Sequence, residues 1–222
     1  MSQFSPEDPS FPLPFPNAEP SSSSSLAPSG LKVCLNLAPF TPEAAGYPLR
    51  LLHILNVNET EASDLVKALR EKHGAQEPAS TKQHNASGPV DQAQRNLEYL
   101  VSLLPQTSVI ITLGEHGVLA SHINQGGERQ PLQLRAHATK VVETTGAGDT
   151  FGGFFLASLA KGETFKRSLE LGGIAAAISV SRRGAMESIP SLQEVLQSGN
   201  VEEEEVEEEE GEDEEEGEGQ AE

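Results

Sequence analysis

Asp149 is the group in this sequence best placed to do chemistry, because of its neighbours in Val141–Phe155, VVETTGAGDTFGGFF. Two β-branched valines suit the end of a strand, and Gly146 and Gly148 supply a tight turn after them. From Asp149 the pattern turns helical, with Phe151, Phe154, Phe155 and Leu159 spaced to share one face. Strand, glycine turn and helix start together make an anion-binding arrangement. Small residues let a phosphate approach successive backbone N–H groups, where the helix dipole favours negative charge. A carboxylate beside such a cradle is repelled by its occupant and needs a reason to be there. One reason is structural, since Asp is a good N-cap. The other is general-base chemistry, in which Asp149 takes a proton from an attacking hydroxyl while the amides hold the transferred phosphate.

The stretch TTGAGDTFGG resembles the C-terminal signature of the ribokinase-like, or PfkB-type, carbohydrate kinases. Four further blocks follow the family order: LNLAPFTP from Leu35, NVNETEA from Asn56, VIITLGEHGV from Val109 and SVSRRGAMESIP from Ser179. The resemblance implies an α/β fold of the ribokinase-like kind, a mainly parallel sheet flanked by helices. It implies transfer of the ATP γ-phosphate to a sugar hydroxymethyl, with D-ribose the leading candidate. Asp149 would be the base, and the amides of Gly146, Ala147 and Gly148 the anion hole. Thr112, Leu113, Gly114, Glu115, His116 and Gly117 match the nucleotide-binding TLGxxG. Asn58, Gly148, Asp149 and Gly173 complete the nucleotide set. Asn58 and Glu61 match the NxxE linked to Mg²⁺, for which an amide oxygen and a carboxylate acting through water suit a hard, hydrated ion. Glu143, Thr145, Ser179, Arg182, Gly184 and Ser188 match the loop for a monovalent cation, K⁺. Three positions depart from the pattern. Val57 replaces the usual Pro, Glu143 replaces the usual Asp, and Gly173 stands where the family often has a polar, adenine-contacting residue.

The residues by themselves keep other readings open. Asn58 with Glu61 three residues on is close to a capping box. Gly114 and Gly117 suit a hairpin turn, and Arg182 to Ser188 a plain basic turn. The six histidines show no zinc-type spacing and none is assigned a role; His53, among leucines, reads as a packed core residue.

Elements to position these groups follow from pattern. Leu31–Leu37 reads as a short buried strand ending at Ala38-Pro39, and Leu49–Leu55 as a strand or helix-to-strand passage leading to Asn56. Ala62, Leu65, Val66 and Leu69 make one helical stripe. Gly74–Pro89 is a polar break, read as a flexible insertion. Ala93, Leu97, Leu100, Val101 and Leu104 mark an amphipathic helix stopped by Pro105. Val109–Leu113 is apolar on both faces, as in a buried parallel strand, and Val118–Ile123 starts again as a strand. Gly126–Arg129 is a turn, and Leu132–Val142 is expected to form a last strand leading into the glycine turn. Phe165, Leu169, Ile174, Ala176, Ala177 and Ile178 belong to a further helix. Gly172-Gly173 in its middle costs about 1 kcal/mol per Gly relative to Ala, a cost that close packing or approach to a ligand would explain.

Charge and length frame the rest. The chain has 222 residues and a formal net charge of −19, but Val201–Glu222 holds 15 of the 34 acidic residues and no basic one. The remainder, 19 acids against 15 bases, is only mildly acidic and has no basic face for nucleic acid. Cys34 is the only cysteine, which excludes an intrachain disulfide. With no leader-like or membrane-spanning apolar run, the expected location is the cytoplasm and also the nucleus. Residues 1–30, rich in Pro and Ser, read as disordered, 31–198 as a partial kinase domain, and 199–222 as an acidic disordered tail. The partial domain lacks the family's N-terminal strands, its GGKGAN-like motif and its small β-sheet lid. Such a chain is expected to be a truncated form or to associate, as a homodimer or with another partner. A second reading follows: a non-catalytic kinase remnant whose acidic tail binds a basic protein.

Overall fold

The computed structural model describes residues 32–73 and 88–199. The Pro/Ser-rich start, residues 74–87 of the polar break and the acidic run Val201–Glu222 lie outside the described residues, and so do the expectations of disorder placed on them.

Five strands form one sheet in the order of the chain. They are β1 (Cys34–Asn36), β2 (Ile54–Asn58), β3 (Ser108–Thr112), β4 (Val118–Ile123) and β5 (Arg129–Leu134). The first three run parallel, and β4 and β5 then fold back antiparallel. The sheet is therefore mixed. Parallel neighbours need long crossovers, and α1 (Glu59–His73) and α2 (Pro89–Leu103) lie on the one between β2 and β3. The short glycine-bounded connections at 113–117 and 124–128 permit only hairpins.

Alternation along the strands sends residues to two faces. Leu55, Val57, Val109, Ile111 and Leu119 pack against Ala62, Leu65, Val66 and Leu69 of α1 and Ala93, Leu97 and Leu100 of α2. On the other face Ile110, Val118 and Ala120 meet Phe151 and Phe155 of α3 (Ala147–Ala160) and Phe165 and Leu169 of α4 (Phe165–Val180). Covered on both sides, β3 has Val109, Ile110 and Ile111 fully buried, which accounts for its unbroken apolar run. Polar groups tie neighbouring elements together. Asn96 of α2 donates from Nδ2 to Ser63 Oγ of α1 at 3.0 Å. Arg129 donates to the carbonyls of Leu104, Pro105 and Thr107 and to Ser121, clamping the end of α2 to β4.

Two sequence expectations change. Leu132–Val142 does not make one strand: β5 ends at Leu134, and residues 135–141 leave the sheet in irregular backbone. The N–H groups of Val142 and Glu143 instead bond the carbonyl of Val180 at the end of α4, at 2.7 and 3.1 Å. Val141 and Val142 are exposed, so their β-branching reflects extended backbone and not a buried strand. His53 is half-buried, and its Nδ1 accepts the Val33 N–H at 3.1 Å, tying the chain before β1 to β2. The passage Leu49–Leu55 resolves into a 3₁₀ turn, Leu49–Leu51, followed by β2.

Candidate active site

The carboxyl ends of β2 and β3 carry the first half of the site. Asn58 closes β2 and pairs in register with Thr112, which closes β3. α1 begins immediately after Asn58 and is capped reciprocally. The Glu61 N–H donates to Asn58 Oδ1 at 2.9 Å, and the Asn58 N–H donates to Glu61 Oε2 at 2.8 Å. The capping box read from spacing is thus formed, and it fixes the side chains that the resemblance links to Mg²⁺. Glu61 is buried and Asn58 exposed. The cap runs through Oε2, so Oε1 is the oxygen a hydrated Mg²⁺ would address, and an oxygen-only donor set fits that ion.

After Thr112 the chain turns at Gly114–His116 in one 3₁₀ turn, closed by the Leu113 N–H donating to the Gly117 carbonyl at 2.8 Å. Gly117 has φ +89°, and a Cβ there would overlap the Leu134 carbonyl oxygen and lie 2.8 Å from Ala136 N. Only glycine fits: the conformation disfavours a side chain and the space is taken.

The second half is the start of α3. Gly146, with φ +79°, is the N-cap, and Ala147, Gly148 and Asp149 form the first turn. Asp149 is therefore third in the helix and not the cap, which removes the capping explanation of its presence. Its carboxylate is exposed at the positive end of the helix dipole. Of the three amides that the resemblance assigns to the anion hole, that of Ala147 already donates to the Thr144 carbonyl at 3.2 Å, while Gly148 and Asp149, in the first turn of α3, have N–H groups with no intrahelical acceptor. One turn further on, Gly152 lies against the sheet: a Cβ there would be 3.9 Å from Asn56 Nδ2. This contact brings α3 to Asn56, two residues before Asn58. Asn56 in turn donates to Asn36 Oδ1 at 3.4 Å. The buried Asn56 Oδ1 and Thr150 Oγ1 have no hydrogen-bond partner among the described residues.

The residues matched to a monovalent-cation loop come together only in part. Glu143 accepts the Gly184 N–H at 2.9 Å. That bond, the Thr145 hydroxyl and, more weakly, the charge of Arg183 hold its carboxyl below the usual range, against an opposing effect of burial. Ser179 and Ser188 are buried and bonded to one another, Oγ to Oγ, at 2.9 Å. The Arg182 guanidinium turns away to Glu194 at 2.5 Å. The Ser191 N–H, Arg182 and the Ser191 hydroxyl hold the Glu194 carboxyl at about 2. Glu143 thus offers charge to a cation, whereas the two serine hydroxyls are satisfied internally.

Gly172 and Gly173 of α4 differ in use. A Cβ on Gly172 would be 2.9 Å from the Phe151 carbonyl oxygen, so this glycine is what lets α3 and α4 approach. Gly173 faces His137, a residue that sequence spacing gave no reason to single out.

The chain matches the pattern described as pfkB family carbohydrate kinase over residues 10–192, and it belongs to that family. Among its relatives, ribokinase of Haemophilus influenzae is 32% identical over 169 residues, 76% of this chain and 47% of that protein. Ribokinase of Schizosaccharomyces pombe is 45% identical over 102 residues, 46% of this chain and 31% of that protein. Among solved structures, the ribokinase of Cryptococcus neoformans in complex with ADP superposes with a TM-score of 0.61 at 28% identity, covering 76% of this chain and 51% of that one. Arabidopsis thaliana ribokinase, complexed with ribose and ATP, gives 0.52 at 26% identity, covering 76% and 47%. The fold is ribokinase-like, and the chain spans about half the length of the relatives it matches.

Proposed function

We propose that this chain carries the nucleotide-binding and catalytic half of an ATP-dependent sugar kinase of the ribokinase type, with D-ribose as the leading acceptor. The observation that carries the reading is the α3 N-terminus. A left-handed glycine opens a helix whose third residue is an exposed carboxylate, one turn from the contact that anchors α3 to β2. The solved relatives named with ADP, and with ribose and ATP, support the nucleotide and the sugar.

In this reading the sugar hydroxymethyl oxygen attacks the γ-phosphorus, a new P–O bond forms, and the bond to the leaving ADP oxygen breaks. The hydroxyl proton passes to the Asp149 carboxylate. The Gly148 and Asp149 N–H groups bind the transferred phosphoryl oxygens, and the helix dipole offsets their charge. Glu61 and Asn58 would hold a hydrated Mg²⁺, which would supply positive charge to offset that of the nucleotide phosphates. The Thr112–Gly117 loop holds the nucleotide beside it. K⁺ near Glu143 would stabilise the turn that presents these amides, and no catalytic step depends on it here.

The test is ADP release with D-ribose, using the purified chain alone and mixed with a separately expressed N-terminal half of the Haemophilus ribokinase. Ribose-dependent ADP release in the mixture, lost on Asp149→Asn, is the expected result. Turnover that survives Asp149→Asn removes Asp149 from the mechanism.

A further inference from the structure

We infer that Asn36 and Asn56 select the phosphoryl acceptor: their two amides read a hydroxyl of a neutral polyhydroxy compound whose reacting hydroxyl faces Asp149. The inference rests on the kinase reading above and names acceptor contacts that this half of the fold itself supplies.

The place follows from the order of the strand ends. β1, β2 and β3 are neighbours and run parallel, so their carboxyl ends lie along one rim, where open α/β sheets bind ligands. The turn proposed to hold the nucleotide follows β3, and the pair proposed to hold Mg²⁺ closes β2 and opens α1. The next place along the rim is Asn36, the last residue of β1. It pairs in register with Asn56, and the two amides meet on the face turned to α3, because Leu35, Leu55 and Val57 pack on the opposite face. α3 comes to the same spot. Gly152 makes the contact with Asn56, and a Cβ on Gly153 would meet nothing within 4 Å. Asp149 stands three and four residues before these glycines, on the same side of the helix and about 4.5 Å along it from Gly152. A sugar ring bridges that span.

The two amides have different parts. Asn56 is only 6% exposed; its Nδ2 donates to Asn36 Oδ1 at 3.4 Å, while its buried Oδ1 has no hydrogen-bond partner among the described residues. Asn36 is exposed, and with its oxygen engaged by Asn56 it keeps Nδ2 to donate. A buried acceptor without a donor costs the fold stability, and at a rim that binds ligands the donor is a group that arrives. Asn36 Nδ2 and Asn56 Oδ1 together offer one donor and one acceptor. A hydroxyl, which accepts and donates through a single oxygen, complements both. An ionised carboxylate or phosphate has no proton to give Asn56 Oδ1, and the Asp149 carboxylate repels it. The pair therefore favours a neutral polyol over a sugar acid or a sugar phosphate.

NMR titration of the isotope-labelled 222-residue chain with D-ribose and, separately, with D-gluconate reads this from the Asn36 side-chain amide, identified by its loss in Asn36→Asp. MgATP added to the same sample, followed at the Gly148 and Asp149 backbone amides, tests the nucleotide reading independently. The expected result is a saturable shift of the Asn36 amide with D-ribose and little with D-gluconate. Asn36→Asp keeps an oxygen for Asn56 Nδ2 and removes only the donor, so ribose affinity, read at the Gly152 amide, should fall about five- to tenfold. Asn56→Leu, close to isosteric, removes the hold on Asn36 and the unbonded oxygen together. It should lose at least as much ribose affinity while its urea midpoint is no lower than the parent's. No Asn36 shift up to molar D-ribose, with MgATP still moving the Gly148 and Asp149 amides, overturns the inference and leaves the nucleotide reading intact. Equal shifts with both sugars overturn it too, since the amides would then not select a neutral acceptor. Parent-like ribose affinity in both variants, with a lowered urea midpoint in Asn56→Leu, overturns it because the pair would serve the fold alone. A chain that responds to neither ribose nor MgATP overturns the nucleotide reading with it.

Discussion

Asp149 stands third in α3, exposed, with the helix N-terminus beneath it. As a base it should matter to rate and little to nucleotide affinity. Asp149→Asn in the complemented enzyme is expected to lower kcat by about 10²- to 10⁴-fold, with ATP affinity held within a few fold. Glu61 separates two roles by a different substitution. Glu61→Gln keeps a carbonyl oxygen to accept the Asn58 N–H, so the cap survives, while the charge proposed to attract Mg²⁺ is lost. Its urea midpoint should match the parent, with several-fold more Mg²⁺ needed for ATP binding. Glu61→Ala should in addition lose about 1 kcal/mol of stability, measured by urea unfolding. The capping box was legible from sequence because its partners are three residues apart. The turning of Arg182 to Glu194 was not, since nothing local distinguishes that arginine from Arg183. His137 was equally silent: its neighbour Gly173 lies on α4, which comes back beside it only after the glycine turn.

At the scale of elements, periodicity located α1, α2, β3 and α4 closely, because each buries a full stripe or both faces. It failed over residues 135–142, where the deciding bonds run to Val180, nearly forty residues away. The α3–α4 contact makes a sharp expectation. Gly172→Ala pushes a methyl into the Phe151 backbone and ring, which should cost about 1–3 kcal/mol in denaturant unfolding. If stability is unchanged, the helices are not packed as described. The α4–sheet contact gives a pH dependence. His122 stacks on Phe165 with centroids 4.0 Å apart and lies 3.1 Å from Ser108 Oγ through Nδ1. Ser108 Oγ also accepts the Ile123 N–H, which leaves its proton for His122 Nδ1. Burial lowers the His122 pKa, so the unfolded chain binds its proton first as pH falls. Its stabilising contribution is complete above about pH 6.5 and is lost as pH drops through the lower folded value. The urea midpoint should fall between pH 7 and pH 5 by more in the parent than in His122→Gln.

At the scale of the whole molecule, five ordered motif blocks made the family legible, and the match over residues 10–192 agrees with them. The substrate side is different, because the chain spans about half of its relatives. Orienting a sugar hydroxyl against Asp149 is where effective molarities of about 10⁵–10⁸ M arise, so the chain alone is expected to show no measurable ribose phosphorylation. The groups proposed to bind nucleotide, by contrast, sit on strand ends and a helix start that are present in the fold. Calorimetric titration of the 222-residue chain with ATP, with and without Mg²⁺, tests that claim most directly. The account predicts weak binding that requires Mg²⁺ and persists within a few fold in Asp149→Asn; no binding at millimolar MgATP would contradict it.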